Sequence, residues 1–351
     1  MKGAKKAPAS FDPDAAAVPG SGVFGLSDSP ERARVVLLPV PVEATTSYGG
    51  GASRGPAAIL AASRQVDLYD AETGRPYEAG IAWLQADRRV SRLDRDAKRL
   101  AKPIVARGGP SGSKALQRAA VRISDLGARV NDAVRRIARE WIGRGKLVGV
   151  VGGDHSAPFG AIEAQAERHP GLGILHLDAH ADLRDAYEGL TWSHASIMHN
   201  VATRLPGVAR IVQVGIRDLS GTEAAMIRSS GGRIRTWFDP DLQRSLLGGT
   251  AFSELAKRIV DDLPDAVYLS FDIDGLDPAL CPHTGTPVPG GLSFAQATYL
   301  LRAVVESGRR IVGFDLCEVA PGPRGDEWDG NVGARLLYKM IGWALLSLRR
   351  S

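Results

Sequence analysis

Cysteine is nearly absent from this chain of 351 residues, which contains only Cys281 and Cys317. Two cysteines are too few for a disulfide framework. No apolar run approaches the ~20 residues that a membrane span requires, and no apolar signal core follows the N-terminal MKGAKKAPAS. We therefore expect a cytoplasmic protein that has no membrane partner.

The chain also lacks a concentrated basic patch, although its net charge is +5 and its pI is about 9.3. Arginines alternate with acidic and apolar residues in segments such as 87–100 and 133–140, a pattern typical of exposed helix faces. The sequence contains no aromatic-interleaved basic stripe and no helix-turn-helix pattern. We therefore expect no nucleic-acid partner.

Short apolar runs alternate with helical patterns along most of the sequence, and 44% of the residues are hydrophobic. This alternation predicts an α/β protein with a parallel sheet covered by helices on both faces. Residues 1–32, rich in Ala, Pro, Ser and Gly, are predicted to be a flexible or loosely packed lead-in, and residues 33–351 a single catalytic domain. The predicted strands are ARVVLLPVPV, KLVGVVGG, LGILHL, ARIVQVGIR, AVYLSFDID and RIVGFDLCEV.

Metal-binding side chains follow four of these predicted strands. The strand ends carry Asp154 and His155; Asp178, His180 and Asp182; Asp272, Asp274 and Asp277; and Asp315 and Glu318. Because the carboxyl ends of parallel strands meet at one edge of a sheet, we expect these groups to lie together. Alternation along an extended chain would point the members of D-A-H-A-D and of D-I-D to one side.

Carboxylates mixed with imidazole, without a cysteine, suit divalent ions of the manganese type better than a thiolate zinc site. The carboxylates also outnumber what one ion requires, which favours a cluster of two metal ions. His176, inside the apolar strand before this block, is interpreted as a core or ligand-orienting residue.

The blocks GGDHS, DAHADLR, WSHAS, TGTPVPGGL, SFDIDGLDP and DLCEVAP resemble the signature blocks of the ureohydrolase family, which contains arginases, agmatinases and formimidoylglutamases. The resemblance extends from about Val35 to the C-terminus. It implies a three-layer α/β/α sandwich with a central, mainly parallel sheet. It also implies two Mn²⁺ ions and hydrolysis of a guanidino group to urea and an amine, in a homo-oligomer such as a trimer or hexamer.

Residue roles follow from this resemblance by position. One ion would be held by His155, Asp178, Asp182 and Asp272, and the other by Asp178, His180, Asp272 and Asp274. Asp182 would also orient the attacking hydroxide, His194 would be the proton shuttle, and Glu318 would bind the guanidinium. The same ligands accept Ni²⁺ readily, so a nickel-dependent guanidine hydrolase is an alternative.

The substrate is less clearly indicated. Arg184 stands where arginases carry an Asn that holds the substrate's α-carboxylate, which disfavours arginine. Agmatine has a second amine instead, for which Asp185 or Glu188 is a candidate partner. Agmatine, hydrolysed to putrescine and urea in polyamine metabolism, is the leading substrate. Arg184 could instead bind the carboxylate of formimidoylglutamate or of a guanidino acid such as 4-guanidinobutyrate, or it could form a salt bridge with Asp185, Glu188 or a neighbouring subunit.

Two further features are assigned no definite role. His283 lies in a loop where the family usually has a small residue, and residues 103–113 form a loop rich in Gly, Pro and Ser. That loop and the lead-in are candidates for covering the mouth of the pocket or for a subunit interface.

Overall fold

A computed structural model describes residues 11–18 and 20–349 of the chain. Its eight strands form one sheet in the order β2-β1-β3-β8-β7-β4-β5-β6, and every neighbouring pair is parallel. The predicted parallel sheet is confirmed. The strands are β1 (Val35–Val40), β2 (Ile81–Trp83), β3 (Leu147–Gly152), β4 (Leu172–Leu177), β5 (Val208–Ile216), β6 (Ile234–Phe238), β7 (Ala266–Asp272) and β8 (Arg310–Cys317).

Helices cover both faces of this sheet. Along β1, Val35 and Leu37 pack toward one helical layer, whereas Val36 and Leu38 pack toward the other, because successive side chains leave a strand on opposite faces. The first layer contains α1 (Gly55–Ala62), α8 (Phe252–Asp261), α9 (Phe294–Glu306) and α10 (Trp328–Ser347). The second contains α2 (Arg88–Val105), α3 (Lys114–Gly143), α4 (Phe159–Arg168) and α5 (Ile197–Arg204). Two further helices, α6 (Gly221–Ser229) and α7 (Asp239–Leu247), flank β6. The three-layer architecture is as expected.

The two strands that the sequence did not predict lie at the two edges of the sheet. β2 has only the three apolar residues IAW, and polar residues interrupt the apolar ones in β6, which reads IRTWF. An edge strand is paired on one side only and is partly exposed, which weakens the pattern used to recognise buried strands.

The loop expected at 103–113 begins later than predicted. Helix α2 continues through Pro103 to Val105, and the fully buried Ile104 anchors its last turn. The remaining loop packs beside the segment around Glu188, because Pro110 lies against Gly189.

Among the described residues, no helix combines the length and the apolar composition that a membrane span requires.

Part of the predicted lead-in is packed into the protein. Val23, Phe24 and Leu26 are buried, and the Phe24 ring centroid lies 4.8 Å from that of Tyr338. The backbone N–H of Phe24 donates to Ser63 Oγ at 3.0 Å. The hydrophobic core therefore begins before residue 33, while residues 1–10 and 19 lie outside the described part of the chain.

Candidate active site

Four adjacent central strands deliver the acidic and histidine residues to one edge of the sheet. β3, β8, β7 and β4 are neighbours in that order, and each is followed by residues that the sequence singled out. Gly153 permits the close turn after β3, because a Cβ there would lie 1.9 Å from the Val42 carbonyl oxygen. This turn directs His155 into the edge of the sheet.

The ligand candidates converge through turns and not through strand alternation. β4 ends at Leu177, before the D-A-H-A-D block, and Asp182 has a left-handed φ of 53°. Asp274 lies in a short 3₁₀ turn that follows β7, and its N–H donates to Asp272 Oδ1 at 2.9 Å. Four of the five side chains that were predicted to face one pocket, those of His180, Asp182, Asp272 and Asp274, line one cavity. The extended backbone on which the prediction was based is not present after Leu177 or at Asp274.

The first predicted ligand set is assembled around His155. Its Nδ1 lies 3.1 Å from Asp178 Oδ2, 3.3 Å from Asp182 Oδ2 and 3.4 Å from Asp272 Oδ2. All four side chains are buried.

The second predicted set lies beside the first. His180 Nδ1 is 3.1 Å from Asp274 Oδ2 and 3.5 Å from Asp178 Oδ1. Asp178 thus directs one oxygen toward each set, as a bridging ligand would. Asp272 directs Oδ2 to the first set, and its assignment as a second bridge stays a prediction.

The charges of these groups fit a pair of cations. Burial, and then the charges of Asp274 and Asp178, raise the pKa of Asp272 well above its ordinary value. Burial and the charge of Asp178 raise the pKa of Asp182 to about 6. Four carboxylates this close together repel one another unless cations separate them. Because both sets offer only nitrogen and oxygen donors, they fit hard or borderline divalent ions.

Buried hydrogen bonds to neighbouring residues fix the orientation of the ligand candidates. Gln213 Nε2 donates to His176 Nδ1 at 3.1 Å, which leaves the proton of His176 on Nε2, 2.8 Å from Asp178 Oδ2. His155 Nε2 lies 3.0 Å from Ser270 Oγ, which donates to Asp315. His176 and Asp315 therefore orient the residues of the ligand sets, in agreement with the interpretation of His176 from sequence.

The remaining strand-end acids lie in turns. Asp277 is exposed and accepts the N–H of Ala279 at 2.8 Å. Asp154 is buried and accepts the N–H of Ser156 at 3.0 Å. Neither residue lines the cavity described next.

A cavity of about 160 Å³ opens onto both ligand sets. Glu318 and His194 line it, together with residues of the loops that follow the strands. The lining consists of Ser47, His155, His180, Asp182, Arg184, Tyr187, His194, Ala195, Asp218, Glu223, Asp272, Asp274, Thr286 and Glu318.

Glu318 is held rigidly at the wall of this cavity. It has a left-handed φ of 62°, and its Oε1 accepts the N–H of His155 at 2.9 Å. Its own N–H donates to the Gly153 carbonyl at 2.8 Å, and its carbonyl accepts Thr284 Oγ1 at 2.8 Å. Burial, and then the charge of Asp154, raise the pKa of Glu318 well above its ordinary value, so a bound cation would favour its ionised form.

His194 is a neutral imidazole at the same cavity. Burial, and then the positive charges of His180 and His155, lower its pKa to about 4. The backbone N–H of His194 donates to Thr45 Oγ1 at 3.3 Å, and the centroid of the Tyr187 ring lies 6.4 Å from that of the imidazole in an edge-on arrangement. A neutral imidazole can accept a proton and return it to another group.

The other two substrate-contact candidates, Arg184 and Glu188, differ in position. Arg184 lines both the cavity and an adjoining surface depression, whereas Glu188 lines only the depression, with Asp185 and His199. The structure therefore does not bring Glu188 together with the ligand sets. Arg184 forms an ion pair with Glu223, which is not one of the partners expected from the sequence.

Sequence reasoning did not identify Asp218 and Glu223 at this cavity. Asp218 follows β5, the strand beside β4, so the strand-end argument used for the other strands would have found it. Glu223 lies in the first turn of α6 and has no such signal. His283 lies outside the cavity, where its Nδ1 is 2.8 Å from Asp329 Oδ2.

Comparison with known proteins identifies the family to which the chain belongs. The model of the arginase family matches residues 33–342, and the chain belongs to that family. The chain is 33% identical over 323 residues to an N(1)-aminopropylagmatine ureohydrolase from Thermus thermophilus, covering 91% of this chain and 94% of that protein. It is 30% identical to a mitochondrial agmatinase from Gallus gallus, covering 89% of this chain and 82% of that protein.

A solved structure shares the fold. The proclavaminate amidino hydrolase from Streptomyces clavuligerus aligns with a TM-score of 0.71 and 23% identity, covering 95% of this chain and 99% of that one. The resemblance inferred from the motifs, the arginase-like fold and the hydrolase class are confirmed.

We predict that Asp274→Asn lowers the manganese content of the protein from two ions per chain to one, because it removes a charged ligand from the second set. Asp277→Asn is the matched control, since Asp277 lies nearby but is exposed. Elemental analysis after equilibration with Mn²⁺ and desalting measures the content. Two ions retained in Asp274→Asn would contradict the assignment.

Proposed function

We propose that this protein hydrolyses the guanidino group of agmatine to urea and putrescine. The observation that carries the proposal is the convergence of two nitrogen–oxygen ligand sets, Glu318 and His194 on one cavity. The curated names of similar proteins, agmatinase and N(1)-aminopropylagmatine ureohydrolase, support a guanidino substrate with a cationic tail.

Two divalent cations would be held by the two sets, with Asp178 shared between them. Manganese is the proposed metal, and nickel remains the alternative because the same donors bind it. Such a pair of cations would lower the pKa of a coordinated water, so that a nucleophilic hydroxide becomes available near neutral pH.

Glu318 binds the guanidinium in this proposal. A carboxylate accepts two N–H groups of a guanidinium in a paired arrangement, and His155 N–H already fixes the orientation of Glu318. Burial raises the pKa of Glu318. The positive charge of the bound substrate would lower this pKa again and so favour the carboxylate form. This contact holds the guanidino carbon beside the ligand sets.

Asp182 orients the attacking water, and His194 transfers a proton to the leaving amine. Asp182, held in a strained left-handed conformation beside His155, accepts a hydrogen bond from the attacking water and orients it. His194 is neutral at pH 7 because its pKa lies near 4, so it can accept a proton and deliver it to the leaving amine. Without that proton the amine is a poor leaving group.

Arg184 supports a second candidate substrate class. It lines the cavity, and a guanidinium at this position could bind the carboxylate of 4-guanidinobutyrate or formimidoylglutamate. The chain is also 34% identical to a guanidinobutyrase from Pseudomonas aeruginosa, over 60% of its length.

The substrate is tested by urea release from the manganese-loaded and the nickel-loaded protein. The panel contains agmatine, arginine, 4-guanidinobutyrate, 3-guanidinopropionate and guanidine, and formimidoylglutamate is followed by formamide release. We expect the highest kcat/KM for agmatine. Preference for an acidic substrate would favour Arg184 as its partner. Activity on none of them with metal bound would contradict the proposed reaction.

The role of His194 is tested by His194→Ala, for which we expect kcat to fall by about 10²- to 10⁴-fold. The manganese content should stay unchanged, because His194 belongs to neither ligand set. His199→Ala is the control, since His199 lines the adjoining depression, and its activity should stay within about threefold. An unchanged kcat in His194→Ala would remove this residue from the mechanism.

A further inference from the structure

His283 is a residue that the proposed mechanism does not use. It occupies a loop position where the family usually has a small residue, and it does not line the cavity. The loop that contains it, residues 282–287, is nevertheless part of the cavity wall, because Thr286 lines the cavity. The contacts of His283 show what a large side chain adds at this position.

Two hydrogen bonds connect His283 to a single carboxylate. Its backbone N–H donates to Asp329 Oδ1 at 3.0 Å, and its ring Nδ1 lies 2.8 Å from Asp329 Oδ2. Since a carboxylate only accepts hydrogen bonds, the ring donates from Nδ1. Asp329 is fully buried and is the second residue of α10. His283 therefore fastens loop 282–287 to the start of that helix.

The His283 ring also packs against the chain segment that follows Glu318. A Cβ added to Gly322 would lie 2.7 Å from His283 Cε1 and 2.8 Å from both His283 Nδ1 and Asp326 Cβ. The φ of Gly322 is −68°, which any residue can adopt, so the backbone itself does not require a glycine there. The missing side chain of Gly322 instead gives the ring room to contact this segment.

The same loop holds Glu318 through the residue after His283. Thr284 is buried, and its Oγ1 donates to the Glu318 carbonyl at 2.8 Å. A Cβ placed on Gly285 would lie 3.8 Å from Glu318 Oε2, the carboxylate oxygen that does not bond to His155. Glu318 has a left-handed φ of 62°, and such a conformation persists in a residue other than glycine only where its surroundings determine it. The position of the loop therefore affects the orientation of Glu318.

We propose that His283 is a positioning residue for Glu318. By tying loop 282–287 to Asp329, it keeps the Thr284 hydroxyl on the Glu318 carbonyl and so holds the carboxylate ready to receive the guanidinium. This inference rests on the proposed guanidino hydrolysis, and it assigns to His283 no contact with the substrate. A small residue in place of His283 would leave Asp329 Oδ2 without the donor that the ring supplies.

The test measures KM and kcat of His283→Ala for the panel substrate that the unsubstituted protein hydrolyses best. If Glu318 is correctly oriented only part of the time, substrate binding weakens in proportion, so we expect KM to rise about 10-fold while kcat stays within about threefold. His283→Asn keeps a donor at the position of Nδ1, and its KM should stay within about threefold of that of the unsubstituted protein. The manganese content should be equal in all variants, because His283 belongs to neither ligand set.

Trp328→Phe is the matched control. Trp328 begins α10, and its Nε1 donates to the Ala279 carbonyl at 2.9 Å, so the substitution removes a different hydrogen bond from the same turn of the helix. Ala279 lies before loop 282–287 and does not line the cavity. KM and kcat should therefore stay within about twofold, whatever the change in thermal stability.

A double-variant analysis tests the path through Thr284. Thr284→Val removes the hydroxyl that donates to Glu318 and retains the shape of the side chain, so it should raise KM as His283→Ala does. Adding His283→Ala to Thr284→Val should then change KM by less than about threefold, because both substitutions interrupt one path. Additive increases in the free energy of binding would show that His283 does not act through Thr284 and would overturn the proposal.

Two further results would also overturn it. An unchanged KM in His283→Ala, or a crystal structure of this variant with an unmoved and fully ordered Glu318, means that the ring does not position the carboxylate. A fall in kcat at unchanged KM means that part of the protein is inactive and that His283 has only a structural role. Failure of the proposed reaction is separate, because the unsubstituted protein would then release neither urea nor formamide from any substrate of the panel.

Discussion

The central physical constraint in this protein is the repulsion among four carboxylates that are removed from water at one edge of the sheet. Asp178, Asp182, Asp272 and Asp274 are each about nine-tenths or more buried. Burial of such charges costs several kcal/mol for each group unless they are paired or coordinated. His155 and His180 are the only imidazoles of the two ligand sets, and divalent cations between the sets would relieve the repulsion. The turns at these strand ends bring the carboxylates and imidazoles within reach of such cations.

The surrounding structure maintains this costly arrangement. The central strands carry the ligand segments side by side, and buried hydrogen bonds from His176, Gln213, Ser270 and Asp315 fix the orientation of the ligand side chains. Backbone strain occurs at the same place, since Asp182 and Glu318 both have left-handed φ angles. Strained non-glycine residues persist where the packing around them determines their conformation, and here both face the cavity.

The central sheet and the clustering of acidic and histidine residues at one of its edges could be predicted from the sequence because their signals are local, whereas their division into two ligand sets came from the family resemblance. Continuous apolar runs identify buried strands, and acids directly after such runs must lie at one edge of a parallel sheet. The edge strand β2 has too short an apolar run for this signal, and polar residues interrupt the run in β6. Turns, and not an extended strand, position Asp182 and Asp274, so the two-residue alternation of side chains along a strand does not apply to them.

Substrate contacts could not be predicted in the same way because they depend on pairs that are distant in sequence. Arg184 meets Glu223 from another loop, and no local pattern predicts that pairing. The sequence also could not show that Glu188 lies in the adjoining depression and does not line the cavity.

Anomalous diffraction at the manganese edge, from crystals of the Mn²⁺-loaded protein, tests the central claim most directly. The account predicts two peaks about 3.5–4 Å apart, one beside His155 and Asp182 and the other beside His180 and Asp274. Asp178 should lie between them. A single peak, or a peak on the other side of the His155 ring beside Asp315 and Cys317, would contradict it.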